Sequence, residues 1–206
     1  MDTPREKLAN PLVKLSFQEF LKQFDGKHAE WLMGDVILVS NNLTHIKIFK
    51  FLIALLEFYL GLKPIGELIV ASFTMYVGDD KPAREPDLMI VMNENAGRIK
   101  QTFLDGAADI AIEIVSPESE LRDYKTKMRE YAAVGVREYW IVDPQEKQAF
   151  INALNAQGEY DQLPLNSEGK LISGLLPGFA LDPTLLWGEE LPKGAALIAL
   201  VQGMVG

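Results

Sequence analysis

The sequence predicts an α/β (α+β) fold in which a mixed central sheet is flanked by helices, and three observations predict it. The run Asp109-Ile-Ala-Ile-Glu-Ile-Val-Ser116 is β-branched, apolar on both sides of Glu113 and bounded by Asp105-Gly106 and Pro117, as a central strand covered on both faces would be. A helical pattern follows it and then Glu138-Tyr-Trp-Ile-Val142; strand, helix, strand in that order is a crossover unit, so the two strands are parallel neighbours. Before them, a helix reaching Leu60 is apolar almost all round, which places it at the centre of the fold or in a subunit interface.

Taken in order, Ser16 with Glu19 three residues on forms a capping box that opens a helix over Phe17–Phe24, ended by Asp25-Gly26. Strands follow at 29–33 and 36–40 with a turn at Gly34-Asp35. Asn42 or Thr44 caps the long helix, which Gly61 and Pro64 stop. Strands are expected at 67–71, 73–77 and 88–92, the last entered through Glu85-Pro86-Asp87, and 93–106 reads as a long, mobile loop. Beyond Ser116-Pro117 a helix runs from Glu120 to Val134 and stops at Gly135. A return strand at 147–153 and short strands near 159–163 and 170–173 complete the pattern.

At 206 residues the chain is long enough for one sizeable core. It has no cysteine, which removes disulfides and thiolate metal sites and suits a reducing, cytoplasmic setting. The N-terminus is unlike an export signal, and the most apolar stretch, 51–60, carries Glu57 and is too short to span a membrane. The formal charge of −9 opposes unaided adsorption to nucleic acid, so a phosphate-handling site would rely on local charge and a divalent metal.

An ionised carboxylate buried without a partner costs several kcal/mol, so Glu113 demands a cation, donors or a metal. Asp87 opens the preceding strand behind a proline, at a sheet end, and the 26-residue separation lets the two strands be neighbours. Two carboxylates converging there form an oxygen-rich site for Mg²⁺ or Mn²⁺. Lys127 lies on the following helix, sharing one edge with Asp123 and Tyr131, where it can lean over the sheet end and steady developing negative charge. Each residue also has a plain structural reading: Asp87 as a turn terminus, Glu113 held by Arg84 or Arg129, and Asp123 with Lys127 as a surface pair. Asp109 reads as a strand-entry residue and His45 as a hydrogen-bonding group at a helix start, with Lys125 in reserve for Lys127.

The segments EPDLMIV, DIAIEIVSP and DYKTKMREYAAVGVREYWIVDP, with SFQEFLKQFDG and AEWLMGD before them, resemble the Uma-type putative restriction endonuclease family of the PD-(D/E)XK nuclease superfamily. The resemblance covers residues 15–187 and implies a single restriction-endonuclease-like domain, leaving 188–206 as a loosely held C-terminal tail. It implies Asp87 and Glu113 as metal ligands and Glu30 as an additional acid at the site. The superfamily motif has lysine two residues after the acid, where this chain has Val115; the resemblance implies that in this branch the lysine has moved to the helix, as Lys127.

Together these readings give an Mg- or Mn-dependent DNA endonuclease with Lys127 and Glu30 in catalytic roles, DNA as partner, no membrane association and a homodimeric state. Two rivals stand beside it. One is a catalytically inactive nucleic-acid-binding or accessory module of the same fold, and the other a chain whose role is self-association through the 46–60 helix.

Overall fold

The computed structural model describes residues 14–38, 42–117 and 119–206. Helix α1 (Phe17–Phe24) begins with the expected capping box, Ser16 and Glu19 each accepting from the other's backbone. The hairpin of β1 (Ala29–Leu32) and β2 (Asp35–Leu38) turns one residue earlier than the sequence suggests, because Met33 and Gly34 both take positive φ and Asp35 pairs with Leu32. The end of the second expected strand, at 39 and 40, lies outside the described residues.

Helix α2 (Leu43–Leu62) is capped by Asn42, whose side chain accepts from the His45 N–H, and it runs two residues past the expected stop. Gly61 is tolerated inside it, and the chain leaves the helix at Lys63 beside Pro64, which lacks the N–H a further turn needs. Strands β3 (Gly66–Val70), β4 (Thr74–Tyr76) and β5 (Leu88–Met92) follow. The segment expected to be a mobile loop is structured instead: Asn93–Arg98 is a 3₁₀ turn, and β6 (Phe103–Asp105) pairs in parallel with β4. Phe103 explains the difference, since its ring packs edge-on against Phe17 and Tyr76 and anchors the segment.

Next come β7 (Ile110–Ile114), the π-helical stretch Arg122–Lys127, helix α3 (Met128–Val134) and β8 (Glu138–Asp143). Gly135 closes α3 in the left-handed conformation. Strands β9 (Gln148–Leu154), β10 (Tyr160–Gln162), β11 (Leu171–Ile172) and β12 (Ala180–Leu181) precede α4 (Ala195–Val205). Among the described residues, no helix is long and apolar enough to cross a membrane.

One six-stranded sheet, in the order β10-β9-β8-β7-β5-β3, organises the molecule. Its pairs are antiparallel except for β7 and β8, which are parallel, as the crossover pattern requires. Alternation along the strands sorts the core into two layers. Leu88, Ile90, Ile110, Ile112 and Trp140 face α2 and α4, while Met89, Val91, Ala111, Tyr139 and Ile141 face the α3 side. Tyr139 and Trp140 therefore pack on opposite faces.

The broad apolar face of α2 is thus spent inside the chain, where Leu52, Leu55, Leu56 and Tyr59 are buried. The expected loose tail is also corrected. Residues 195–205 form α4, with Val201 and Met204 buried in the same layer as α2. The run AALIALV combines helix formers with apolar surface that water disfavours, so docking is its lowest-energy option. Gly178 records how closely this helix approaches: its φ is +82° and a Cβ there would lie 2.2 Å from the Met204 carbonyl oxygen. Gly178→Ala is expected to destabilise the fold by at least ~1–2 kcal/mol, the cost of left-handed backbone alone. A urea midpoint equal to the wild type would mean that α4 does not sit there.

Candidate active site

The site assembles at the end of the sheet where β7 finishes. Extending the β5–β7 register by one step beyond Leu88 and Ile112 puts Asp87 opposite Glu113, so both side chains leave the sheet on one face. Both line a small cavity of about 10 Å³, together with His45, Glu85, Asp123 and Lys127. That is room for about one water-sized species.

Asp87 sits between Pro86 and the start of β5, where its carbonyl still accepts from the Ala71 N–H, and its Oδ2 accepts from the Ile114 N–H at 2.8 Å and contacts His45 Nε2 at 3.0 Å. His45 is placed there by the first turn of α2, with Asn42 capping it. Glu113 Oε1 accepts from the Tyr131 hydroxyl at 2.6 Å and lies 2.8 Å from Lys127 Nζ. Neither Asp87 Oδ1 nor Glu113 Oε2 takes a hydrogen bond among the described residues.

Lys127 is buried, with its ammonium 2.8 Å from Glu113, 3.2 Å from Glu30 and 3.3 Å from Asp123. Three carboxylates thus face one ammonium, although Glu30 Oε1 and Asp123 Oδ1 take no hydrogen bond among the described residues. Burial alone would lower its pKa, but Glu113, Glu30 and Asp123 outweigh that and hold the ammonium charged, above the ordinary lysine value. The π-helical widening at 122–127 is the local device that turns Asp123 and Lys127 inward together, and such bulges are frequent at functional sites. Asp123 is further held by the Ser119 hydroxyl, and the Tyr139 hydroxyl donates to its carbonyl oxygen.

Glu30 alternates with Ala29 and Trp31 along β1. Those two pack with Phe17 and Phe20, which leaves Glu30 facing the site, fully buried. Arg84 Nη1 donates to its Oε2 at 2.8 Å, and the same guanidinium grips Glu130 on α3 with two further bonds. Burial would raise Glu30, but Lys127, Arg84 and Arg122 hold it down at about 2, so it stays ionised.

Glu113 behaves differently. Burial pushes it up to about 8, against the pull of Lys127, and Asp123, Asp87 and Glu30 add to the rise. Burial likewise lifts Glu85 to about 7, although Thr74 and the Ala29 N–H donate to it. The cluster therefore carries more acid than its cations neutralise.

That excess is the chemistry a hard divalent cation answers. Among the described residues no group of three or more His, Asp or Glu side chains is placed to hold a metal ion together. Mg²⁺ asks for less, since it keeps several waters and binds through one or two carboxylates plus substrate phosphate. The free oxygens of Asp87 and Glu113 fit that requirement.

All four residues singled out in the sequence, Glu30, Asp87, Glu113 and Lys127, meet here. The surface-pair reading of Asp123 and Lys127 fails because both are buried, and Lys125 is exposed. Glu113 is held by Lys127 and Tyr131 instead of an arginine. Asp109 is a structural residue, accepting from the Met92 N–H and Asn95. Sequence reasoning missed the role of Arg84 toward Glu30 and that of Ser119 toward Asp123. The Arg84-Glu85-Pro86-Asp87 run held the first clue, as a charged cluster entering an apolar strand.

Comparison with known proteins gives two findings. A family model described as "Uma2: Putative restriction endonuclease" matches residues 17–184. The chain is also similar in fold to a crystal structure of a putative nuclease belonging to DUF820 from Anabaena variabilis ATCC 29413. The TM-score is 0.66 at 18% sequence identity, covering 84% of this chain and 97% of that one. A search of curated proteins gives no match.

Proposed function

Because the chain belongs to the Uma2 family of putative restriction endonucleases, we propose that it hydrolyses DNA phosphodiester bonds with the help of a divalent cation. The observation that carries this reading is the meeting of Asp87, Glu113 and Lys127 around one small cavity at the sheet end. Asp87 and Glu113 would hold Mg²⁺ or Mn²⁺ through the oxygens their protein partners leave open. Bound there, such an ion lowers the pKa of water and screens charge on the phosphate.

The chain's own residues do the rest. Lys127 presents an ammonium beside Glu113 that orients the attacking water and steadies negative charge on a phosphate oxygen. Glu30, ionised and buried, also holds that ammonium, and Arg84 keeps Glu30 in place. Tyr131 sets the direction of the Glu113 carboxylate through its 2.6 Å bond. His45 and the Ile114 N–H do the same for Asp87.

Purified protein with Mg²⁺ or Mn²⁺ is expected to nick supercoiled plasmid DNA. Asp87→Ala should lower the rate about 10²–10³-fold, the usual loss when one electrostatic stabiliser is removed. Undiminished nicking by that variant refutes the assignment, and DNA binding by the wild type without any nicking assigns the chain an accessory role.

A further inference from the structure

Beside the acidic site lies a second, larger hollow that the hydrolytic machinery does not use. It is a cleft of about 800 Å³ between the first turns of α2, the β8–β9 turn at Pro144 and Lys147, and the segment from Trp187 into α4. A space of that size matches the range in which proteins enclose nucleotide-sized ligands.

Its charge runs against that of the molecule. Lys47, Lys50, Lys147 and Lys193 line it against Glu189 and Glu190, on a chain whose formal charge is −9. Lys193 is neutralised by Glu190 at 3.5 Å. Lys47, Lys50 and Lys147 are exposed and make no ion pair among the described residues. Between them the wall is aromatic and apolar, with half-buried Trp187 beside Phe51 and Pro144.

The cleft's position supplies the connection. Strands β7 and β8 run parallel, so their C-terminal ends lie together, joined by the bond from Val115 N–H to the Val142 carbonyl. Glu113 is near the end of one, and Pro144 follows the end of the other. Helix α2 starts at this same end, since His45 in its first turn touches Asp87. Lys47 is half a turn further along that helix. The acid cluster opens on the α3 side of the sheet end and the basic cleft on the α2 side, with the strand ends between them.

We infer that this cleft is a binding track for an unpaired strand of nucleic acid flanking the scissile phosphate, with phosphates on Lys47, Lys50 and Lys147 and a base against Trp187. Lysines spaced along a groove with an aromatic platform are the two elements by which proteins hold single strands without reading sequence. The inference rests on the nuclease reading above and adds where the substrate lies. The cleft also resolves the charge problem, because an acidic protein needs a local basic path to bring a polyanion to acidic ligands.

The test is fluorescence anisotropy with a short labelled single-stranded DNA, in the absence of divalent cation so that no cleavage intervenes. The full chain is compared with the Lys47→Gln, Lys50→Gln, Lys147→Gln triple variant and with Trp187→Phe. The three lysines are exposed, so the triple variant keeps its far-ultraviolet circular dichroism. Losing three phosphate contacts should flatten the plot of log affinity against log salt by about 2 in slope and weaken binding at low salt about tenfold or more.

Indole fluorescence should be quenched on binding in the wild type, and most of that quench should vanish in Trp187→Phe. Unchanged affinity and slope in the triple variant, no binding by the wild type at low salt, or equal affinity for a fully paired blunt duplex with no quench would each overturn the inference. Plasmid nicking separates it from the reading it rests on. Lysine-dependent binding by a wild type that never cuts refutes the nuclease and keeps the cleft. A triple variant that binds and cuts as the wild type does refutes the cleft alone.

Discussion

Lys127→Met is expected to melt about 10 °C below the wild type and to lose DNA hydrolysis altogether, since removing one partner from a buried ionic cluster typically costs about 3–5 kcal/mol. The reason lies in the partners left behind. Glu30, Glu113 and Asp123 all face the Lys127 ammonium within 3.3 Å, and all are buried. Methionine keeps the unbranched apolar stem of the side chain and removes the ammonium at its tip, so the change reads mainly electrostatics. Adding Glu30→Gln to Lys127→Met should recover part of the melting temperature and none of the activity, because it removes one of the stranded charges without restoring the donor. A Lys127→Met protein that melts with the wild type and still nicks plasmid would end this account of the cluster.

The second large effect concerns Glu113. Its carboxyl is pushed up to about 8 in the folded protein, burial being the main cause, against an ordinary value of 4.5. The folded state thus holds this proton more tightly than the unfolded state. The stability it contributes is complete below about pH 4.5 and fades as pH rises through about 8. A divalent cation competes for the same carboxylate, so its stabilising effect should grow with pH over that window.

Glu113→Gln mimics the protonated form. The variant is therefore expected to match the wild type near pH 5, to melt above it at pH 8 without cation, and to show no shift on adding Mg²⁺. Its nicking activity should fall by at least about 10²–10³-fold. Thermal melts across the pH range, with and without Mg²⁺, check all three. A cation-induced shift that survives in Glu113→Gln, or one that is independent of pH, would remove Glu113 from the ligand set.

Much of this was legible from residues alone, and for identifiable reasons. The β7–β8 pairing followed from the order of elements, and Glu113 stood out because a charge inside a greasy strand is costly wherever it occurs. Asp87 could be placed at a sheet end because Pro86 cannot join a ladder. What stayed hidden were contacts between residues far apart in sequence. Arg84 reaches Glu30 across 54 positions, and no local pattern encodes that bond.

Segment 93–106 was misread because its polarity masked the one ring, Phe103, that ties it down. The final helix was misread because its exposed side, with Ala195, Ala196, Ile198 and Ala199, is as apolar as its buried one, so the run shows no periodicity. The π-helical stretch was equally invisible, since sequence periodicity there looks like an ordinary helix.

That stretch has a consequence for how the chain tolerates length changes. Arg122–Lys127 accommodates one residue more than a regular helix would over the same path. Removing a single residue inside it, such as Thr126, would let the helix close into standard geometry and leave the flanking turns close to their present phase, because that residue is the extra one the widening holds. Asp123 and the lysine would then stand three apart instead of four, still on one face. The bulge makes this helix a place where the loss of one residue is absorbed, whereas the same loss inside the regular helix α2 would rotate everything beyond it by about 100°.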